Sequence, residues 1–420
     1  MKYLFPFVLF FTLILSSCEN KDIVLQSSPH IKKFSFGTHS QVPGIENVQF
    51  TIDSIQCLIY NTDSVAYDMN LTKLFPFIEF TGSPKEIKVN GKDWNQKDSI
   101  DFSQPVTLYV QSQNKKGEAT YTITLNKHKH NPEEILWEML PSISHPSTIQ
   151  ESKAAVLQDQ LYIIVKNQDG NTTYYSKDAH NWQSIDSKED INVASIATYK
   201  GYIYAISTDA TKLYRFEEDQ WIPVADGTHS MTMLLGELNQ KLWIAGIDAT
   251  NNTLSFFDGT TIQTVEDAIL PQLFNLAGST PLTTSTALYL LGGEDNNQAQ
   301  NSVLSTDNGF YWTNILNQSG QYAFTPRHHA SAVYYDNYLY IFGGLSTNQT
   351  VEQTAYRSKD NGYSWTPIPT YQQLPSSYQW KKGCTAVSFQ DNIFLVGTSS
   401  SQQEITLCKG RIHKADFIQQ

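Results

Sequence analysis

From about His30 to Lys127, apolar and polar residues alternate in short runs broken by turn signals. Val48, Phe50 and Ile52 share one parity, as do Val106, Leu108 and Val110; Tyr121, Ile123 and Leu125 stand against Thr120, Thr122 and Thr124. A period of two with threonine outward predicts strands that bury one face. Asn90-Gly91, between Val89 and Trp94, predicts a tight hairpin because both residues tolerate positive φ. Roughly a hundred residues of this pattern predict an immunoglobulin-like β-sandwich.

Beyond Ile135 the alternation becomes a repeat of strand, polar turn, strand. The run from Ala155 to Ile163 matches those from Ala332 to Ile341 and from Ala386 to Leu395, with looser copies at Ile196 to Ile206, Leu234 to Ile244 and Leu282 to Leu291. Outer strands begin at Trp137, Trp182, Trp221, near Ile262, at Trp312 and at Trp365, spaced by roughly 40 to 53 residues. Such units cannot bury their faces alone, so they close into a ring. The inner pairs predict a β-propeller of six blades; seven would require a blade merged in this count. Trp137 precedes the first inner pair, so its strand is expected to complete the last blade beside a strand around Ile405 to Phe417. The fold class is therefore all-β, a sandwich followed by a propeller.

One turn recurs with a signature. Ser305, Asp307, Gly309 and Trp312 are spaced like Ser358, Asp360, Gly362 and Trp365, and a shorter copy without the glycine runs from Ser176 to Trp182. The aspartate is expected to accept backbone N–H groups two residues on, the glycine to take positive φ, and the tryptophan to cover the apolar surface below. This pattern resembles the Asp-box of sialidase-like propellers, and Gly292-Gly293 and Gly343-Gly344 resemble the double glycine of kelch repeats. Sialidase activity does not follow. That family grips a carboxylate with three arginines, and of Arg215, Arg327, Arg357 and Arg411 only Arg327 falls outside a third or fourth strand.

The N-terminus reads Met1-Lys2-Tyr3, an apolar run from Leu4 to Leu15, then Ser16-Ser17-Cys18. This is the pattern of a secretory signal. Leu15 to Cys18 resembles a bacterial lipobox, which implies acylation of Cys18 and a membrane anchor through lipid. The expected divisions are a signal at 1–17, a tether at 18–29, the sandwich at 30–127, a linker at 128–134 and the propeller at 135–420. As a whole the chain resembles a Gram-negative family of secreted lipoproteins with an immunoglobulin-like front and a kelch or Asp-box propeller behind. That resemblance implies an outer-membrane lipoprotein facing the periplasm or the cell surface, and carries over no catalytic residues.

A net charge of −12 argues against a nucleic-acid partner, which needs a basic face. Besides Cys18 the chain has Cys57, Cys384 and Cys408; the last two fall in the final repeat and are either a disulfide or two core thiols. No zinc-ligand spacing occurs, so neither metal nor cofactor is expected.

Propeller ligands commonly sit at the channel mouth, built from segments before each innermost strand and loops after each second strand. The candidates there are Glu151, Lys153, His229, Met231, Thr280, Arg327, His328, His329, Trp380, Lys381 and Lys382, with Asn167, Asp169, Glu294, Asp295 and Asn296 in the loops. Arg327, His328, Trp380, Lys381 and Glu294 are the leading ligand-binding set, since a cation, an imidazole and an aromatic face suit a sugar or an acidic group; the alternative is a solvated rim with the histidines bonded to neighbouring loops, and the resemblance to kelch repeats implies a loop-packing role for Arg327. The tryptophan turns are expected on the opposite face. The expected function is a lipid-anchored envelope protein binding a glycan or a protein. The alternatives are a carbohydrate-active epimerase, mutarotase, lyase or hydrolase, and a structural part of an outer-membrane complex.

Overall fold

The computed structural model describes residues 27–412 apart from 130, 250, 272–273, 275, 317–321 and 382; Cys18 lies outside the described residues. Two compact units divide between Asn131 and Pro132. In the N-terminal unit six strands form one sheet, in the spatial order Phe50–Asp53, Leu58–Asn61, Glu118–Thr124, Val106–Ser112, Pro84–Val89 and Lys92–Asp93. Among these strands Leu58–Asn61 and Glu118–Thr124 run parallel, and the other neighbours run antiparallel. A second sheet pairs Ile31–Phe36 with Pro76–Phe80. The alternation explains the packing: Val106, Leu108, Val110, Tyr121 and Ile123 are all buried, while Phe34 and Phe36 of the small sheet meet Phe50 and Phe102 edge to face in the same core. Asn90 and Gly91 both take positive φ, and Val89 pairs with Lys92 across them.

The second unit is a propeller of six four-stranded sheets. The innermost strands are Glu151–Leu157, Ile191–Tyr199, Ser230–Leu238, Thr280–Thr283, Ser331–Tyr335 and Thr385–Phe389. The sixth blade holds Asn392–Thr398 and Glu404–Ile412, and its outer strand is Ile135–Ser144 from the start of the unit, paired antiparallel from Ile135 with Ile412 to Ser144 with Glu404. Ring closure is thus a β-ladder between the two ends of the propeller, as the position of Trp137 predicts. Apolar clusters fill the spaces between neighbouring blades. Trp243, Leu235 and Phe256 of the third blade, for example, pack with Leu288, Leu290 and Trp312 of the fourth.

The tryptophan turns share one bond. The indole N–H of Trp182, Trp312 and Trp365 donates to the carbonyl three residues back, on Ala179, Gly309 and Gly362. In the fifth blade Ser358 and Asp360 cap the turn: the Gly362 N–H donates to Ser358 Oγ at 2.8 Å and the Ser364 N–H to Asp360 Oδ1 at 2.9 Å. The fourth blade corrects the sequence register. Its caps are Thr306, which accepts the Gly309 N–H at 2.8 Å, and Asn308, which accepts the Phe310 N–H at 2.8 Å; they are not Ser305 and Asp307. The turn is one residue shorter between cap and tryptophan there, so the capping positions match Ser176 and Asp178 of the first blade. Ala179 occupies the positive-φ position in the first blade, where the other two turns have glycine. Cys384 and Cys408 are both buried free thiols, not a disulfide.

Candidate functional site

Arg327 is completely buried, which overturns its placement on a ligand-facing rim. Its guanidinium donates to the carbonyl oxygens of Thr325 at 3.1 Å, Gly343 at 2.9 Å and Thr354 at 2.9 Å. Glu352 Oε2 lies 3.7 Å away, and the Phe324 and Tyr356 rings lie within cation–π range. The physical reason is local. Gly343 and Gly344 take positive φ where the chain leaves the second strand of the fifth blade, and Arg327 bonds carbonyls on that path and on the segment that returns to the blade.

His328 is also buried, and its Nδ1 lies 3.2 Å from Glu294 Oε2 without the alignment of a hydrogen bond. Its backbone bridges to Leu345 in both directions. Glu294 is half-buried at the start of a small hairpin, Glu294–Asp295 with Gln298–Ala299, inserted into the fourth blade. Trp380 packs edge to face on Tyr378, with centroids 5.4 Å apart, and leans on the core between the fifth and sixth blades. Lys381 is half-buried; burial lowers its pKa, and Glu404 opposes the shift. Gly343 stands between the two groups: Arg327 bonds its carbonyl, while a Cβ on it would lie 3.5 Å from the Lys381 carbonyl oxygen and 3.9 Å from Trp380 Cε3. The fold therefore does bring the candidates near one another, but mainly as packing.

The open space lies along the propeller channel. A cavity of about 610 Å³ is lined by the innermost strands of all the blades, and none of Arg327, His328, Trp380, Lys381 and Glu294 lines it. It extends from Lys153 and Thr385 near the starts of their strands to Glu237, Ser285, Tyr334 and Ser388 at the hairpin ends. Those ends belong to the face of the tryptophan turns. The Asn239 side chain, in the hairpin of the third blade, bonds the Asp307 carbonyl, and the Gln390 side chain in the sixth bonds the Lys177 carbonyl. The cavity thus reaches the face opposite the expected mouth.

Among the described residues, Lys153 and Glu237 are the charged ones in its wall. Glu237 Oε2 accepts the Lys200 backbone N–H at 3.2 Å. Lys153 has no hydrogen bond or ion pair among the described residues; burial lowers its pKa, against the opposing influence of Glu151 and then Cys384. The Cys384 thiol is itself pushed up to about 11 by burial. Several wall hydroxyls serve the fold: Thr280 donates to the Ala330 carbonyl, Thr283 to that of Leu235, and Ser331 accepts the Ala386 N–H. The hydroxyls of Thr198, Thr385 and Ser388 have no such partner among the described residues. Thr198, Glu237, Tyr334, Thr385 and Ser388 were not among the residues singled out from sequence. The available signal was a polar side chain interrupting an otherwise apolar innermost strand. Among the described residues no cluster of potential ligands suits a metal ion, and no helix is long and apolar enough to cross a membrane.

Comparison with known proteins finds no curated protein that matches. Among solved structures, the one titled "Structure of YjhT" is similar at 12% identity and a TM-score of 0.48, over 63% of this chain and 95% of that one. Residues 25–125 match the DUF6242 N-terminal domain and residues 131–420 the DUF6242 beta propeller domain, so the chain belongs to the DUF6242 family.

Proposed function

We propose that this chain is a binding protein of the cell envelope, anchored by lipid on Cys18, whose propeller channel receives part of a glycan. The observation that carries the reading is the hydroxyl-bearing cavity of about 610 Å³ along the channel. Its volume falls within the roughly 300–1,000 Å³ typical of small-ligand pockets. The hydroxyls of Thr198, Thr385 and Ser388, without a partner among the described residues, offer donors and acceptors in any orientation, which suits a sugar. The ring of Tyr334, 39% exposed at the hairpin end, offers an apolar face for a pyranose. Trp380 packs against the cluster that holds the wall residues Val333 and Ala386.

Glycan-array binding by the mature protein tests the channel. Ser388→Trp, at an exposed wall position, is expected to block the hairpin end and reduce binding at least tenfold. Binding that survives this change and Tyr334→Ala would place the ligand elsewhere. The anchor is tested separately: Cys18→Ser is expected to move the protein from the membrane to the soluble fraction, and retention in the membrane would refute lipidation at that residue.

The proximity of His328 to Glu294 supports a second reading, a carbohydrate-active epimerase, mutarotase, lyase or hydrolase in which this pair moves a proton. Turnover of any sugar, lost in Glu294→Gln, would favour it over binding alone.

A further inference from the structure

We infer that the channel ligand is a sugar bearing a single carboxylate, and that Lys153 is the residue that recognises that carboxylate. The inference rests on the reading of the channel as a ligand seat and narrows it to one chemical class. An ammonium group withdrawn from bulk water is costly unless an opposite charge or several acceptors stand close to it. Lys153 has neither among the described residues. Glu151, two positions back on the same strand, contributes field but no ion pair, and burial keeps the nearby Cys384 thiol neutral. Burial likewise keeps the nearby Tyr378 hydroxyl neutral. The side chain is nevertheless partly accessible, and the space it faces is the cavity whose wall it forms. A counter-charge for Lys153 therefore has room in the channel.

The rest of the wall restricts what carries that charge. A lysine is a compact point charge with three donors, which suits one carboxylate without demanding the planar pairing of arginine. Thr385 starts the adjacent innermost strand and Thr198 lies farther along the channel, so hydroxyls flank the path that a polyol would follow from Lys153. At the hairpin end Glu237 places a negative charge in the wall. A ligand with anionic groups at both ends would meet repulsion there, whereas a neutral ring over Tyr334 would not. The wall thus prefers a sugar with its carboxylate toward Lys153 and neutral hydroxyls toward Glu237.

Isothermal titration of the full mature chain with glucuronate, galacturonate, their uncharged methyl esters and glucose distinguishes the possibilities. The acids are expected to bind at least tenfold more tightly than the esters, with an affinity that weakens as sodium chloride is raised. Lys153→Met should remove the difference and Lys153→Arg should retain part of it. Equal binding of acids and esters, blocked by Ser388→Trp, would overturn this inference and leave the channel reading standing. A preference for acids that persists in Lys153→Met would assign recognition to another cation and also overturn it. If none of the sugars binds at millimolar concentration while a glycan on the array does so through the channel, the single-carboxylate assignment fails; if nothing binds through the channel, both readings fail. Should Lys153→Met fold poorly, Lys153→Gln takes its place, with ligand-induced thermal stabilisation, acid against ester, as the readout.

Discussion

A guanidinium carries five N–H donors in a rigid plane and stays ionised at any ordinary pH, so burying one requires acceptors on several sides. Arg327 finds them in the carbonyls of Thr325, Gly343 and Thr354, adding side-chain bonds to segments also joined by the His328–Leu345 bridge and by the Glu352 N–H to the Gly344 carbonyl. Its role is that of a cross-link. Arg327→Met keeps much of the side-chain volume but leaves those carbonyls without a donor, and is expected to cost about 3 kcal/mol of propeller stability, measured by urea denaturation. A loss below about 0.5 kcal/mol would contradict the structural role, since surface substitutions fall in that range. The position of Arg327 before an innermost strand was legible in the chain, and the resemblance to kelch repeats implied a loop-packing role, but the depth of its burial was not legible. Burial depends on Thr354, far along the sequence, returning to the same place. The caps of the fourth-blade turn show the same limit on a smaller span. Ser305 and Asp307 fit the pattern of letters, yet Thr306 and Asn308 make the bonds, because the tryptophan sets the frame from which the turn is counted.

Among strands, closure of the ring is the decisive step. The ladder between Ile135–Ser144 and Glu404–Ile412 completes the sixth blade with a strand from the start of the propeller, so the two ends of the unit are tied together and the ring is closed. Gly410 faces Trp137 in that ladder, and a Cβ there would lie 2.5 Å from the indole atoms Cε3 and Cζ3. Gly410→Ala therefore forces the ring of Trp137 or the strand to move, with an expected cost of about 1–3 kcal/mol in thermal or chemical unfolding. Gly397 in the neighbouring strand is the control: a Cβ there would meet nothing closer than Thr406 Oγ1 at 3.6 Å, so Gly397→Ala should cost clearly less. Equal effects at the two sites would show that closure tolerates crowding. The strands themselves were readable because alternation has a period of two and each repeat restates it. The small hairpin at Glu294–Asp295 and Gln298–Ala299 was not, since two-residue strands of polar or small residues inserted within the fourth blade carry no periodic signal.

Over the whole chain, local chemistry was enough for the fold class, the six blades and the closing partner of Trp137. Apolar alternation, turn residues and a recurring tryptophan are properties of neighbouring residues, and each blade must bury the same faces as the last. The place where a ligand would sit depends on something else. Lys153, Thr385, Glu237 and Tyr334 come from four different blades, and no spacing relates them until the ring curves their innermost strands around one channel. Arg327 and His328 are withdrawn from solvent by the loop that runs from Gly343 through Leu345 to Thr354, and the open volume reaches the face of the tryptophan turns. Patterns short enough to repeat are written in the chain, whereas burial, accessibility and the meeting of charges across a channel are set by how the blades enclose space.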